Sequence, residues 1–390
     1  MSEEYTLPKN WRWVKLREVC EINPSRPKDF TRKADALTTF MPMESVDEKN
    51  GVIVKQQEVP YSKVAKGYTY FEENDVLFAK ITPCMQNGKH VIARNLIDKI
   101  GFGTTEFHVL RSKREILPEW IWYFIRQPHF LEEATYYFTG AVGQQRVPDD
   151  FLADYDIPLA LMDEQQRITA KIQELMQEVK QAKESCEKQL EANQALPSAY
   201  LREVFESPEA EKWEKKRFDQ CVIKRKGLKM MGISQKGYKN EGRYPIVDQG
   251  QSLICGYTDD ISSVYQGDLP VIIFGDHTRL FKYIDFPFAI GADGTKIISP
   301  NTDSLIPKFF YFALLSFNIK NLGYSRHYKL LRNISIPVPD SETQRKVVSE
   351  LEKKISETNN LQSTIYNLQS AVDALPRAIL CKAFRGELVS

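Results

Sequence analysis

The chain says the same thing twice. Glu164-Gln165-Gln166-Arg167 opens a stretch of helical periodicity that closes on Ala195-Leu196-Pro197 and Phe205. Glu342-Thr343-Gln344-Arg345 opens a second stretch, which closes on Ala374-Leu375-Pro376 and Phe384. Fainter echoes extend the duplication into the intervening segments. Trp11 to Leu16 matches Trp213 to Phe218, Leu117 to Phe124 matches Ile306 to Phe312, and Asp156-Ile157-Pro158-Leu159 matches Ser335-Ile336-Pro337-Val338. A repeat of one globular domain plus one long helix predicts internal pseudo-two-fold symmetry. The framework repeats while the loops differ, so the halves should share a fold and read different things.

The expected boundaries are a globular domain at 1–156, a central long helix at 157–207, a second domain at 208–335 and a C-terminal long helix at 336–390. A length of 390 residues suits two domains with added helices. Hydrophobic content of 42% is enough to bury their cores.

The helices carry narrow apolar seams. Ile168, Ile172, Leu175, Val179, Ala182 and Cys186 recur at alternating steps of four and three, the spacing of one helix face. Val348, Leu351, Ile355, Thr358, Leu361, Ile365, Leu368, Val372, Leu375 and Ile379 nearly repeat it. Each seam is too narrow for a large core and too regular to be left in water, so the two helices are expected to pair antiparallel as a coiled coil. Pro197 and Pro376 each remove a helix hydrogen bond and are expected to end or kink the long helices, leaving short amphipathic helices after them.

Between the helices the pattern is α+β. Asp75 to Lys80 and Leu269 to Phe274 read as buried strands, Glu119 to Arg126 and Phe309 to Leu315 as apolar helices after a proline. The first residues show no secretion signal, and no apolar run is long enough to span a bilayer, which predicts a soluble cytoplasmic protein. Six scattered cysteines without a Cys-x-x-Cys pair suggest reduced thiols and no metal site.

No catalytic motif is present: no Asn/Asp-Pro-Pro-Tyr/Phe, phosphate loop, His-Glu-x-x-His or Gly-x-Ser-x-Gly. Gly291 to Lys296 has the wrong glycine spacing for a phosphate cradle and reads as a turn. Pro339-Asp340 with Glu352-Lys353-Lys354 imitates a nuclease motif, but its charges fall on the solvated face of a helix. Asp276-His277 lacks further metal ligands.

Polar, basic loops remain. The net charge of +1 conceals the run from Val222 to Asn240, which is basic without an acid. Lys and Arg hold phosphates, while Gln and Arg bond base edges in the major groove. The candidate DNA contacts are Lys63, Lys66, Lys80, Gln144, Gln145 and Arg146 in the first half. In the second they are Lys224, Arg225, Lys226, Lys229, Lys236, Gln249, Gln251, Arg279, Lys296, Arg326, His327 and Lys329. For any single one, an exposed residue touching nothing is at least as good a reading; their recurrence in both halves favours nucleic acid. A stand-alone DNA-binding regulator and a coiled-coil adaptor without nucleic acid are the alternatives.

Pro270 to Arg279, Ala289 to Lys296, the paired Ile-Pro and Glu-x-Gln-Arg elements and Ala383 to Leu388 together resemble the specificity subunits of type I restriction-modification systems, over essentially the whole chain. The first copy departs from the last element at Glu203 to Ser207. The resemblance implies two target-recognition domains, each reading half of a split DNA site, with the two helices as spacer. It implies a non-catalytic chain acting on double-stranded DNA with two modification subunits and with restriction subunits that translocate DNA. It also places S-adenosylmethionine, ATP and Mg on those partners, with no cofactor on this chain.

Overall fold

The computed structural model describes residues 6–141, 143–223, 232–292, 294–323 and 325–388. The chain forms two compact units, Met1–Cys186 with Leu368–Ser390, and Glu187–Asn367.

The first unit contains strands β1 (Arg12–Lys15), β2 (Cys20–Ile22), β3 (Leu37–Met41), β4 (Gln57–Pro60), β5 (Thr69–Glu72), β6 (Val76–Ala79), β7 (His90–Ile92), β8 (Ile100–Gly103), β9 (Phe107–Ser112) and β10 (Asp156–Leu159). Its helices are α1 (Leu16–Val19), α2 (Pro118–Ile125), α3 (Pro128–Tyr136), α4 (Asp149–Asp154) and the first part of α5 (Met162–Phe205). Two four-stranded sheets, β4-β3-β8-β5 and β2-β9-β6-β7, carry the core. The central strand β6, Val-Leu-Phe-Ala, is buried throughout, as a continuous apolar run flanked by neighbours requires.

The second unit contains β11 (Glu214–Arg217), β12 (Tyr244–Val247), β13 (Gly256–Thr258), β14 (Val271–Gly275), β15 (Phe281–Ile284), β16 (Ala289–Ile290), β17 (Thr295–Ile298) and β18 (Ser335–Val338), with the rest of α5, helices α6 (Pro307–Ser316) and α7 (Tyr328–Leu331), and the first part of α8 (Ser341–Phe384), whose end belongs to the first unit. Its sheets are three-stranded, β13-β12-β16 and β15-β14-β17. The turn read at Gly291 to Lys296 leads into β17, which pairs with β14.

The sequence echoes become structural equivalents. β1 pairs antiparallel with β10, placing Trp13 opposite Pro158 and Val14 opposite Ile157; β11 pairs with β18, placing Lys215 opposite Pro337 and Lys216 opposite Ile336. Helices α2 and α6 both start at a proline, whose missing N–H costs nothing in the first turn.

The Gln of the repeated Glu-x-Gln-Arg element has the same task in both units. Gln165 is fully buried: its Nε2 donates to the carbonyls of Glu115 and Ala160, and its Oε1 accepts the Leu117 N–H, each at 2.9 Å. Gln344 donates to Ser304 and Pro339 and accepts from Ile306 at 2.8 Å. One side chain thus ties the helix start both to the strand behind it and to the turn that begins α2 or α6.

Both long helices run on through their prolines, so neither ends there as one of the expected outcomes had it. Each proline removes one N–H bond and costs about 3 kcal/mol in a helix interior. Buried residues on both sides hold the helix across the defect, Asn193 and Leu201 in α5, Val372 and Ile379 in α8. The pairing is antiparallel within each unit: Lys183 meets Asp373 in the first, Asn193 bonds the Thr358 carbonyl and Glu203 meets Lys354 in the second.

The seam departs from the expected one in α8. Ile168, Ile172 and Val179 are buried and Leu175 packs against the core, as are Leu351 and Ile365 with Ile355 at the margin. Leu361 and Leu368, however, are each 48% exposed, and Leu375 is also exposed. Among the buried positions of α8, Gln344, Leu351, Thr358, Ile365, Val372 and Ile379 form a heptad stripe, with Val347 beside its start and Leu380, Ala383 and Phe384 buried at its end. Against one partner helix only that stripe is covered, and the leucines three residues further on lie at its flank.

Candidate nucleic-acid interface

In the first unit, strand ends and loops gather several of the expected residues. Val147 N–H donates to the Lys80 carbonyl at 3.0 Å, and an isolated bridge joins Ile81 to Arg146, so Lys80 and the Gln144-Gln145-Arg146 loop lie side by side. The loop is a tight reversal: Thr139 and Arg146 exchange both backbone bonds, and Gly140 turns it at φ +106°, where a side chain would be strained. Gln144 is exposed and Gln145 half-buried. Arg146 forms a two-pronged pair with Glu106 at 2.7 and 2.8 Å, which holds the Glu106 carboxyl below its usual range. Its guanidinium is therefore fixed by a carboxylate, with less freedom to follow a base edge than an unpaired loop arginine has.

Lys63 and Lys66 are exposed on the segment that closes one side of a cleft of 370 Å³ lined from both four-stranded sheets. Its floor is Phe102, Phe107 and Val109; Lys80, Arg26 and Tyr68 line it as well. Arg26 lies over the Phe30 ring at 5.5 Å and donates to the Tyr61 hydroxyl and the Ala65 carbonyl. Arg26 and Tyr68 were not among the expected contacts, although Tyr68 ends the basic loop Ser62 to Tyr68 and Arg26 stands near Lys28, Arg32 and Lys33; the fold brings both to Lys80.

In the second unit the centre is Asp276, 1% exposed. Its N–H donates to the Gly294 carbonyl, its Oδ1 accepts the Tyr328 N–H at 2.7 Å, and its carbonyl accepts both the His327 N–H and Nδ1–H. Lys296 Nζ lies 3.9 Å from Oδ2. Gln249 Oε1 accepts the His277 N–H, and the Thr278 hydroxyl donates to the Gln249 carbonyl. Loops 248–251, 276–279, 294–296 and 325–329 are thereby joined.

This changes several of the assignments. His327 is fully buried, and its Nε2 accepts the Leu322 N–H, so it is a strut inside the loop cluster and not a group presented to a base. Arg279 is half-buried and donates to the Ile319 carbonyl, Lys296 faces Asp276, and Gln249 is spent on the neighbouring turn. Lys236, Gln251, Arg326 and Lys329 are exposed. Lys224, Arg225, Lys226 and Lys229 lie outside the described residues.

A second polar knot supports this surface from below. Asp248 accepts from the Gly250 N–H and Cys255 Sγ at 2.7 Å and from the Tyr238 hydroxyl at 3.1 Å. Lys282 Nζ donates to the Asp248 and Ser252 carbonyls. Burial works against the Asp248 carboxylate, but those hydrogen bonds and the Lys282 charge outweigh it and keep the carboxyl below its usual range. Lys282 sits inside a strand, where alternation alone predicts an exposed cation. Among the described residues no group of three His, Cys, Asp or Glu side chains could hold a metal, and no helix is long and apolar enough to cross a membrane.

Two units repeat one framework, and each presents a different set of polar loops held by internal hydrogen bonds. That combination defines a two-module recognition protein. The family profile described as type I restriction modification DNA specificity domain matches residues 8–191 and again 210–369, and the chain belongs to that family. The specificity subunits of the Escherichia coli type I restriction enzymes EcoEI and EcoAI are 34% and 33% identical over 211 and 215 residues, 54% of this chain in each case. Those alignments span 35% and 36% of the relatives' own length. The fold is shared with the HsdS subunit from Thermoanaerobacter tengcongensis, at TM-score 0.70 and 24% identity over 99% of both chains. It is also shared, at TM-score 0.76 and 24% identity, with a chain from a structure on complex assembly and conformational transition of the type I R-M system, over 98% of this chain and all of that one.

Proposed function

We propose that this chain is the DNA-specificity subunit of a type I restriction-modification assembly, in which each unit reads one part of a bipartite double-stranded site and the long helices set the spacer between the parts. The carrying observation is the repeated framework with unlike loops: equal strand register and the same Gln anchor in both units, with Gln144 to Arg146 offered by one and Gln251, Arg326 and Lys329 by the other. A single-site reader has no need of a second framework, whereas two unlike half-sites require one scaffold with two sets of loops. The chain supplies recognition and the chemistry resides on partners. Two modification subunits would carry S-adenosylmethionine and methylate adenine, and restriction subunits would use ATP and Mg to translocate and cut, all in the cytoplasm.

The test is reconstitution. The purified chain with S-adenosylmethionine and DNA should transfer no methyl groups, and adding a type I modification subunit should yield adenine methylation at one interrupted sequence. Methyl transfer by the chain alone, or methylation whose sequence does not change when this chain is exchanged for a relative, overturns the proposal.

A further inference from the structure

The cleft of the first unit has properties that a phosphate-contacting surface does not need. Contact with an intact duplex backbone calls for cations on an open face. Here a cavity of 370 Å³ has an apolar floor of Phe102, Phe107 and Val109, each at most 1% exposed, and cations beside it. That volume lies within the roughly 300–1,000 Å³ typical of small-ligand sites. Tyr68 is 42% exposed, an aromatic ring left uncovered beside the cavity, with its edge contact to Phe40 at 5.0 Å fixing its position. Lys80 is half-buried, and among the described residues its ammonium has no carboxylate partner within ion-pair distance, although its backbone is bonded on both sides to Glu106 and Val147. Arg26 is held by Tyr61 and Ala65 with its charge unneutralised by any carboxylate among the described residues. Flat aromatic surface beside an unpaired ammonium matches the two chemical faces of a nucleotide, a planar base and a phosphate monoanion.

Resting on the DNA reading above, we propose that this cleft receives one nucleotide unstacked from the duplex, with its base against the exposed ring of Tyr68 and its phosphate on Lys80 and Arg26. The supply of such a nucleotide follows from the reaction class: chemistry on a base requires that base to leave the stack, and the base opposite it loses its pair. An unpaired base in water is unfavourable by a few kcal/mol, and stacking on an aromatic side chain returns a comparable amount. The cleft would thus lower the cost of opening the first half-site. Its entrance adjoins the Gln144 to Arg146 loop through the Lys80–Val147 bond, so the same surface would read the neighbouring base pairs.

The experiment uses the full-length chain with its modification partners and a duplex carrying the mapped target, with 2-aminopurine placed at each position in turn. Binding should brighten the probe at one position of the half-site read by the first unit, outside the methylated base itself. Tyr68→Ala should abolish that brightening and weaken binding by roughly tenfold, while Tyr68→Phe should preserve both. Lys80→Gln should reduce the slope of log K against log salt by about one unit, the signature of one lost phosphate contact. Specific binding without brightening at any such position overturns the cleft proposal and leaves the proposed function standing. Brightening that survives Tyr68→Ala also overturns it. Binding of free dAMP or dTMP without brightening in the duplex would assign the cleft to a small molecule instead. Absence of specific DNA binding altogether would overturn both readings.

Discussion

Replacing Gln344 by leucine removes three hydrogen bonds from a side chain that is 1% exposed, while keeping most of its bulk. The Ile306 N–H loses its acceptor at 2.8 Å, and the Ser304 and Pro339 carbonyls lose their shared donor at 2.9 Å. Each bond contributes about 1 kcal/mol net, and a buried N–H left unpaired costs 1–3 kcal/mol, so the loss should be about 3 kcal/mol. For a unit of this size that corresponds to a fall of roughly 6–12 °C in its melting temperature. Gln165→Leu should cost the first unit the same, because Gln165 makes the same three bonds. Hydrogen exchange separates this reasoning from general damage. Gln344→Leu should deprotect the Ile306 amide and leave Leu117 unchanged, and Gln165→Leu should do the reverse. Losses below about 1 kcal/mol for both variants, or unchanged exchange at Ile306, would refute the claim that this glutamine is what fastens each long helix to its unit.

Phe384 is 1% exposed and packs edge-on against Trp120 and Phe124 at 4.8 and 5.3 Å, so Phe384→Ala should cost about 3–5 kcal/mol in chemical denaturation. His90 is held well below 6.5 by burial and then by the Arg126 charge, and burial likewise lowers His108. The unfolded chain therefore binds more protons than the folded one near and below pH 6.5, and stability should fall as pH falls through that value. His90→Phe, retaining a ring against Phe78, should flatten this dependence in denaturation midpoints measured between about pH 5 and 8 whatever it does to the absolute stability. Lys236→Glu with Lys329→Glu should weaken DNA binding across sequences and reduce its salt slope by about two units, whereas Arg326→Ala should alter base preference in one half-site only, as read by methylation mapping. His327→Ala should disorder the loop cluster around Asp276 and weaken that same half-site without changing the identity of the preferred bases.

The sequence alone determined what periodicity and repetition encode. Two long helices, two α+β frameworks and the repetition of the Trp-led and Ile-Pro segments were legible because each is a local pattern written twice, whereas the strand pairing of those two segments appeared only in the fold. The prolines misled because a lone helix would break there, and only packing on both sides decides otherwise. Leu361 and Leu368 misled because apolar spacing gives a helix face but not the width of the partner that covers it.

The site was legible as loops and not as atoms. His327, Arg279 and Gln249 look like readers in a linear text, yet the fold turns them inward onto Asp276, Ile319 and the His277 turn. Tyr68 ends a basic loop and Arg26 lies among other cations in the sequence, yet only the two sheets bring them together at Lys80. Which way a polar side chain faces depends on carbonyls and N–H groups supplied from distant segments, and buried polar groups must find those partners. The sequence carries the composition of each loop, whereas tertiary structure decides which of its members are consumed in holding the loop and which remain for DNA.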